Sequence, residues 1–284
     1  MNLNHVKESR RALFDLGMEE RVQVLSQEIW VDIPQASDVL RAISNILDVP
    51  RTTQAPCMLV CGEPGTGKSS LVGQLLKRYE KSQDSRLAFM NLAEDVGSLK
   101  FKERILVAMG IPLVASRKAG TMPSELAAFI RLRNIRGIVI DEFHDALLLG
   151  KVEQQRNLSV LKSLSGPPYF ISVIGFGTDY AKHALNHDSQ LSRRYHMMLL
   201  QPWTENETFR RFLASIEENL PLKHPSALYS PEIVKFLLKE TGGVMGLVVD
   251  LIKSAAAYAI YCGEERISIE MLEKAKLSRW GYGK

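Results

Sequence analysis

Residues 57 to 71 read Cys-Met-Leu-Val-Cys-Gly-Glu-Pro-Gly-Thr-Gly-Lys-Ser-Ser-Leu, and the fold follows from them. Gly62, four residues, then Gly67, Lys68 and Ser69 have the spacing of a phosphate-binding loop. The apolar run Met58 to Val60 predicts a buried strand before the loop, and Leu71, Val72, Leu75 and Leu76 recur at helical spacing after it. Strand, loop and helix in that order are the context the motif requires, and they argue against a glycine-rich turn that binds nothing. Glycines at 62, 65 and 67 let the backbone curl so that its N–H groups point at phosphate oxygens, with the positive end of the following helix adding to the field. The predicted cradle is Gly62, Glu63, Pro64, Gly65, Thr66, Gly67, Lys68, Ser69 and Ser70. In it Lys68 reaches the β- and γ-phosphates of ATP, and the Ser69 hydroxyl takes one site on Mg²⁺.

Outward from the loop, strand and helix patterns alternate. Leu87 to Leu92 predicts a second strand, and Leu99 to Met109 a helix carrying Lys100, Lys102 and Arg104. Ala115 to Met122, with Arg117, Lys118, Gly120 and Thr121, reads as a loop; Ser124 to Leu132 resumes a helix with Ser124 as its cap. Gly137-Ile-Val-Ile-Asp141-Glu142 is an apolar run ending in two carboxylates, and Phe170 to Gly175 is another, closed by Gly175-Phe-Gly-Thr178-Asp179. Such alternation predicts an α/β fold with a parallel sheet and crossover helices, its ligand at the carboxyl ends of the strands.

Upstream, Val22, Leu25 and Ile29 suggest a helix within Met18 to Trp30, and Val39, Leu40, Ile43, Ile46 and Leu47 mark another. Val31 to Pro34 between them reads either as a wall for an adenine base or as a helix linker, and the first dozen residues show no clear period. From Pro202 onward only helices are expected. Thr204 and Glu207 form a capping box for Glu205 to Asn219, and Ser230-Pro231 opens a helix that stops at Gly242-Gly243. Gly246 to Tyr261 is a long apolar-faced helix, and Ser268 caps the last one through Lys276. The predicted organisation is a helical segment over 1–30, an α/β nucleotide-binding core over 31–201 and a small all-helical lid over 202–284.

With 284 residues, 45% of them hydrophobic, the chain can fill two cores. A net charge of +4 permits nucleic-acid binding without demanding it. Three cysteines, Cys57, Cys61 and Cys262, do not make a disulfide framework, and two lie in the predicted buried strand as small hydrophobes. No apolar stretch of about 18 residues is present and the first residues are polar, so a cytoplasmic protein with no membrane partner is expected.

Asp141 and Glu142 end a central strand, where a phosphate-loop NTPase needs its second acidic element. Asp141 would hold the Mg²⁺ water shell opposite Ser69, and Glu142 would polarise the attacking water. His144 has the place of the histidine in a helicase box, but no other helicase motif accompanies it. Thr178 is placed either to touch the γ-phosphate or to cap the next helix. Arg193 and Arg194, just before the apolar run Met197 to Leu200, are either supplied in trans to a neighbouring subunit's nucleotide or an ordinary solvated basic pair.

The order phosphate loop, acidic strand, polar-tipped strand, arginine pair and helical lid resembles the AAA+ ATPases. Gly62 to Ser69, Ile138-Val-Ile-Asp-Glu-Phe-His144, Ile174-Gly-Phe-Gly-Thr178 and Gly242-Gly-Val-Met-Gly246 look like the TniB/TnsC family of transposition regulators, over about Val31 to Trp280. The resemblance implies an ATPase that assembles with ATP into rings or helical filaments on double-stranded DNA. It implies coupling of target selection, through a TniQ-type adaptor, to a transposase. It also implies DNA contacts from loops lining the ring, here Lys100, Lys102, Arg117, Lys118 and Thr121. Many AAA+ lids carry an arginine directly after the glycine that starts the lid helix, whereas this chain has Gly246-Leu247, so slow or partner-stimulated hydrolysis is expected. A helicase-loader or secretion-type ATPase, or a nucleotide-dependent signalling switch without DNA, are the alternative readings.

Overall fold

The computed structural model describes residues 3–81, 86–93, 99–111, 125–186 and 188–282. The strands are β1 (Cys57–Gly62), β2 (Leu87–Asn91), β3 (Gly137–Asp141), β4 (Ser172–Gly177) and β5 (Tyr195–Leu200). The helices are α1 (Met18–Leu25), α2 (Pro34–Asp48), α3 (Lys68–Lys81), α4 (Phe101–Ala108), α5 (Leu126–Leu132) and α6 (Lys151–Ser165). They continue with α7 (Asp179–Asn186), α8 (Ser189–Ser192), α9 (Glu207–Glu217), α10 (Pro231–Thr241), α11 (Met245–Tyr261) and α12 (Ile269–Leu277). None of the described helices is long and apolar enough to cross a membrane. The chain divides into two compact units, Pro34–Gln201 and a second that joins Met1–Ile33 to Pro202–Lys284.

In the first unit all five strands run parallel in the order β2-β3-β4-β1-β5. Every residue of β1, β3 and β4 is buried, because crossover helices cover both faces of a parallel sheet. Leu59, Ile138, Ile140, Phe143, Leu161, Val173 and Leu185 belong to one continuous apolar core. The chain leaves β1 toward β2 at one edge and leaves β4 toward β5 at the other. The carboxyl ends of β1 and β4 therefore flank a topological switch point, where such sheets place their ligands. Gly175 on β4 is held bare by its neighbour: a Cβ there would stand 2.7 Å from Cγ of Phe143. Helix α4 starts at Phe101, and helix α6 occupies a stretch in which the apolar pattern marks no element. The expected Ser124 cap lies outside the described residues.

The second unit is helical and has α11 at its centre, buried along most of its length. The first residues, which show no clear period in the sequence, are part of it from residue 3 onward. Val6 is 2% exposed, the Lys7 N–H donates to the Glu218 carbonyl at 2.9 Å, and Glu8–Asp15 forms a 3-10 helix. Arg21 on α1 pairs inside the unit with Glu265 and donates to the Pro221 carbonyl at 2.8 Å, while Lys223 reaches Glu265 at 2.9 Å. The cap of α9 is Asn206, whose Oδ1 accepts from the Phe209 N–H at 2.8 Å, and not the expected Thr204. Thr204 stands two residues before the cap, and Trp203 ahead of it is packed on Phe209 and Phe212, with ring centroids 5.4 and 5.2 Å away. Ser230 and Pro231 open α10, Gly242 ends it in the left-handed region at φ 60°, and Ser268 caps α12.

Candidate active site

The loop between β1 and α3 closes on itself through Thr66, whose N–H and hydroxyl both donate to the Glu63 carbonyl, at 3.3 and 2.8 Å. Gly65 and Gly67 have φ of 81° and 93°, a region that side chains strain to enter. At Gly62 a Cβ would lie 2.5 Å from the Thr66 hydroxyl oxygen, so the curl requires bare backbone there as well. Lys68 opens α3, is 7% exposed and donates through Nζ to the carbonyls of Gly62 and Glu63, at 2.8 and 2.9 Å. Burial lowers its pKa, opposed by the nearby carboxylates of Glu142 and Asp141. Glu63, Pro64, Gly65 and Ser69 are exposed along the rim, and Ser70 is half-buried.

At the end of β3, Asp141 is 7% exposed and its Oδ1 accepts the Glu142 N–H at 2.9 Å. Burial raises its pKa, against the pull of that hydrogen bond and of Lys68. Glu142 adopts the left-handed region, φ 52° and ψ 41°, a conformation that costs about 1–3 kcal/mol and is concentrated at functional sites. Thr178 follows β4. Its carbonyl accepts the Ala181 N–H at 3.0 Å as α7 begins, but its hydroxyl is buried with no hydrogen-bond partner and is not spent on capping the helix. The sheet thus brings the loop lysine, two acids and an unsatisfied hydroxyl to one end.

Two further polar residues stand here, of which Asn91 escaped the sequence reading. Asn91 ends β2 in register with Asp141, and its Oδ1 accepts the Ala93 N–H at 3.0 Å. Its position as the last residue of the strand beside the acidic one was the available signal. His144, read only as a helicase-like letter, has Nδ1 3.3 Å from Oε2 of Glu142 and Nε2 3.7 Å from Oδ1 of Asp145.

The paired arginines have different surroundings. Arg194 donates through Nη1 to the Lys162 carbonyl at 3.0 Å and to the Ser165 hydroxyl at 2.8 Å, and its own carbonyl accepts the Cys57 N–H at 2.9 Å. Arg193 is exposed, and both arginines line an open cleft of about 680 Å³ with Gln190 and the connector leading to β1. Lys100 is exposed at the start of α4 and Lys102 is half-buried one residue into it; Arg117, Lys118 and Thr121 lie outside the described residues. In the helical unit Leu247 is 38% exposed, and Lys253 donates to the Gln27 carbonyl at 2.7 Å.

Comparison with known proteins places this arrangement. No curated protein matches the chain. Among solved structures, Cdc6p from Pyrobaculum aerophilum superimposes with a TM-score of 0.62 at 19% identity, covering 92% of this chain and 72% of that one. The ORC2 protein of Aeropyrum pernix, solved as ADPNP–ADP complexes, gives 0.60 at 16% identity with the same coverages, 92% and 72%. The ORC1 protein of Aeropyrum pernix, in complex with DNA, gives 0.58 at 18% identity, covering 90% and 68%. These likenesses show the fold, a five-stranded parallel sheet with flanking and C-terminal helices. The family described as Bacterial TniB protein matches residues 21–205, more than half of the chain. The chain belongs to the TniB family.

Proposed function

We propose that this chain is an ATPase of DNA transposition, which assembles with ATP into rings or filaments on double-stranded target DNA and couples a TniQ-type adaptor to a transposase. The observation that carries the reading is the meeting of Lys68, Asp141, Glu142 and the unpartnered Thr178 hydroxyl at one end of the sheet, in a chain of the TniB family. Lys68 exchanges the carbonyls of Gly62 and Glu63 for the β- and γ-phosphates, and the N–H groups of Gly65 to Ser70 take the remaining phosphate oxygens. Among the described residues no cluster of three His, Cys, Asp or Glu side chains could hold a metal by itself. A hydroxyl and a carboxylate, Ser69 and Asp141, suit Mg²⁺, which takes one or two protein oxygens and fills its octahedron with phosphate and water. Bound there, Mg²⁺ supplies charge neutralisation on the phosphates.

Glu142 polarises the attacking water and Thr178 donates to the γ-phosphate. Arg193, exposed on the edge of its cleft, enters the neighbouring copy's site, while Arg194 braces the loop that presents it. Nucleotide then acts as an assembly switch: it bridges two copies until hydrolysis removes the bridge. Lys100, Lys102, Arg117, Lys118 and Thr121 supply phosphate contacts that sum to salt-dependent DNA binding. Leu247 in place of a lid arginine keeps basal turnover slow.

The test is fluorescence anisotropy of labelled duplex DNA with the purified chain, with and without ATP, for wild type and Glu142→Gln. The variant is expected to bind ATP normally, hydrolyse it at least about a hundredfold more slowly and remain on DNA when wild type is released. A Glu142→Gln protein that does not accumulate on DNA with ATP refutes the switch, and DNA binding indifferent to nucleotide refutes the assembly model.

A further inference from the structure

Resting on the ATPase reading, a second residue acts on the water-polarising acid. Glu142 and His144 stand on either side of Phe143, which is fully buried against Gly175 of β4 and fixes the short 3-10 helix Phe143–Ala146 to the sheet. The left-handed conformation of Glu142 turns its side chain back so that Oε2 lies 3.3 Å from His144 Nδ1. That nitrogen is buried, and the present angle leaves it without a hydrogen bond. The tip of β4 leaves little room beside it: a Cβ at Gly177 would stand 3.3 Å from the His144 backbone nitrogen and 3.5 Å from the same Nδ1. Gly177 is followed by Thr178, whose hydroxyl is the other buried atom of the site with no partner. One imidazole therefore approaches the carboxylate expected to polarise water, beside the strand end expected to sense the γ-phosphate.

We propose that His144 is a positioning residue for Glu142: Nδ1–H donates to the Glu142 carboxylate and fixes its rotamer for catalysis. A small rotation of the carboxylate brings the 3.3 Å contact into line. Nε2 lies at the longer distance of 3.7 Å from Oδ1 of Asp145. A wrongly held general base loses rate and not substrate binding, because the interaction acts only in the transition state.

The experiment compares His144→Ala, His144→Asn and Glu142→Gln, singly and with His144→Ala added to Glu142→Gln, by single-turnover and steady-state ATP hydrolysis on duplex DNA. Nucleotide affinity is read in parallel from a fluorescent ATP analogue. His144→Ala is expected to lower kcat about tenfold, the scale of one hydrogen bond to a charged group, with KM and analogue affinity changed less than about twofold. Asparagine places an amide N–H near the position of Nδ1, so His144→Asn should remain within about threefold of wild type. In the Glu142→Gln background His144→Ala should cost nothing further. An unchanged kcat in His144→Ala, an asparagine variant as slow as the alanine one, or a further tenfold loss in the double variant would overturn the proposal. A wild-type chain that hydrolyses no ATP with DNA and partners would overturn the ATPase reading itself, whereas active wild type with indifferent His144 variants overturns only this inference.

Discussion

Arg193 and Arg194 are adjacent in sequence, yet replacing each with alanine should separate function from folding. Arg194→Ala removes two hydrogen bonds from a charged donor, to the Lys162 carbonyl and the Ser165 hydroxyl. Such bonds contribute about 1.5–3 kcal/mol each. Both acceptors keep another partner, because the Lys162 carbonyl also accepts from the Gly166 N–H at 3.2 Å and the Ser165 hydroxyl also donates to Leu161 at 3.1 Å. The expected loss is therefore near the lower end for the pair, about 3 kcal/mol. For a unit of this size that lowers Tm by roughly 5–10 °C. Arg193→Ala removes an exposed side chain and should change stability by less than about 0.5 kcal/mol. An arginine supplied in trans to a phosphoryl-transfer site is worth about 10³–10⁵ in rate. Scanning calorimetry and phosphate release on duplex DNA, the latter below the lowered Tm, should give Arg193→Ala normal melting with hydrolysis down at least about a thousandfold. Arg194→Ala should melt early and hydrolyse within about tenfold of wild type. An Arg193→Ala protein with wild-type turnover, or an Arg194→Ala protein as heat-stable as wild type, refutes this division of labour.

Two further substitutions test the packing behind the site and the helical unit. Gly175→Ala puts a methyl group 2.7 Å from Phe143 Cγ and 3.2 Å from Leu59 Cδ1; it should destabilise the chain by about 1–3 kcal/mol in urea and slow hydrolysis by shifting the segment that carries Glu142. Glu265→Gln leaves the buried Arg21 without its charge partner and should cost about 3 kcal/mol near neutral pH. Burial pushes the Glu265 carboxyl up, but the hydrogen bonds from Arg21 and Lys223 outweigh it and hold the pKa below its ordinary value of 4.5. Its folded pKa being depressed, the stabilisation is fully present above 4.5 and is lost as pH falls through the lower folded value, so urea curves of wild type and variant should converge only in acid.

The sheet was legible in the sequence because its signals are local. Apolar runs bounded by glycine mark β1, β3 and β4, and the spacing from Gly62 to Ser69 marks the turn that feeds α3. Helix α6 was not, since two of its inward positions are polar. Asn157 satisfies itself on the Ala146 carbonyl at 2.8 Å and Ser165 on that of Leu161, which erases the apolar period. The order in the first dozen residues comes from distant partners, such as His5 against the Leu222 carbonyl at 3.0 Å, which no local pattern encodes. In the site, Lys68, Asp141 and Glu142 could be read from residue type and position. The left-handed turn at Glu142 and the approach of His144 could not, because both depend on how Phe143 packs on a bare glycine in the next strand. Likewise only tertiary partners distinguish Arg194 from Arg193.

The central claim is nucleotide-dependent assembly on DNA, and negative-stain imaging tests it most directly. The purified chain is imaged with duplex DNA and a slowly hydrolysed ATP analogue, and again without nucleotide. Rings or filaments on DNA in the first sample and dispersed particles in the second are the predicted result. Dispersed particles in both samples, at concentrations where the analogue is bound, would contradict the account.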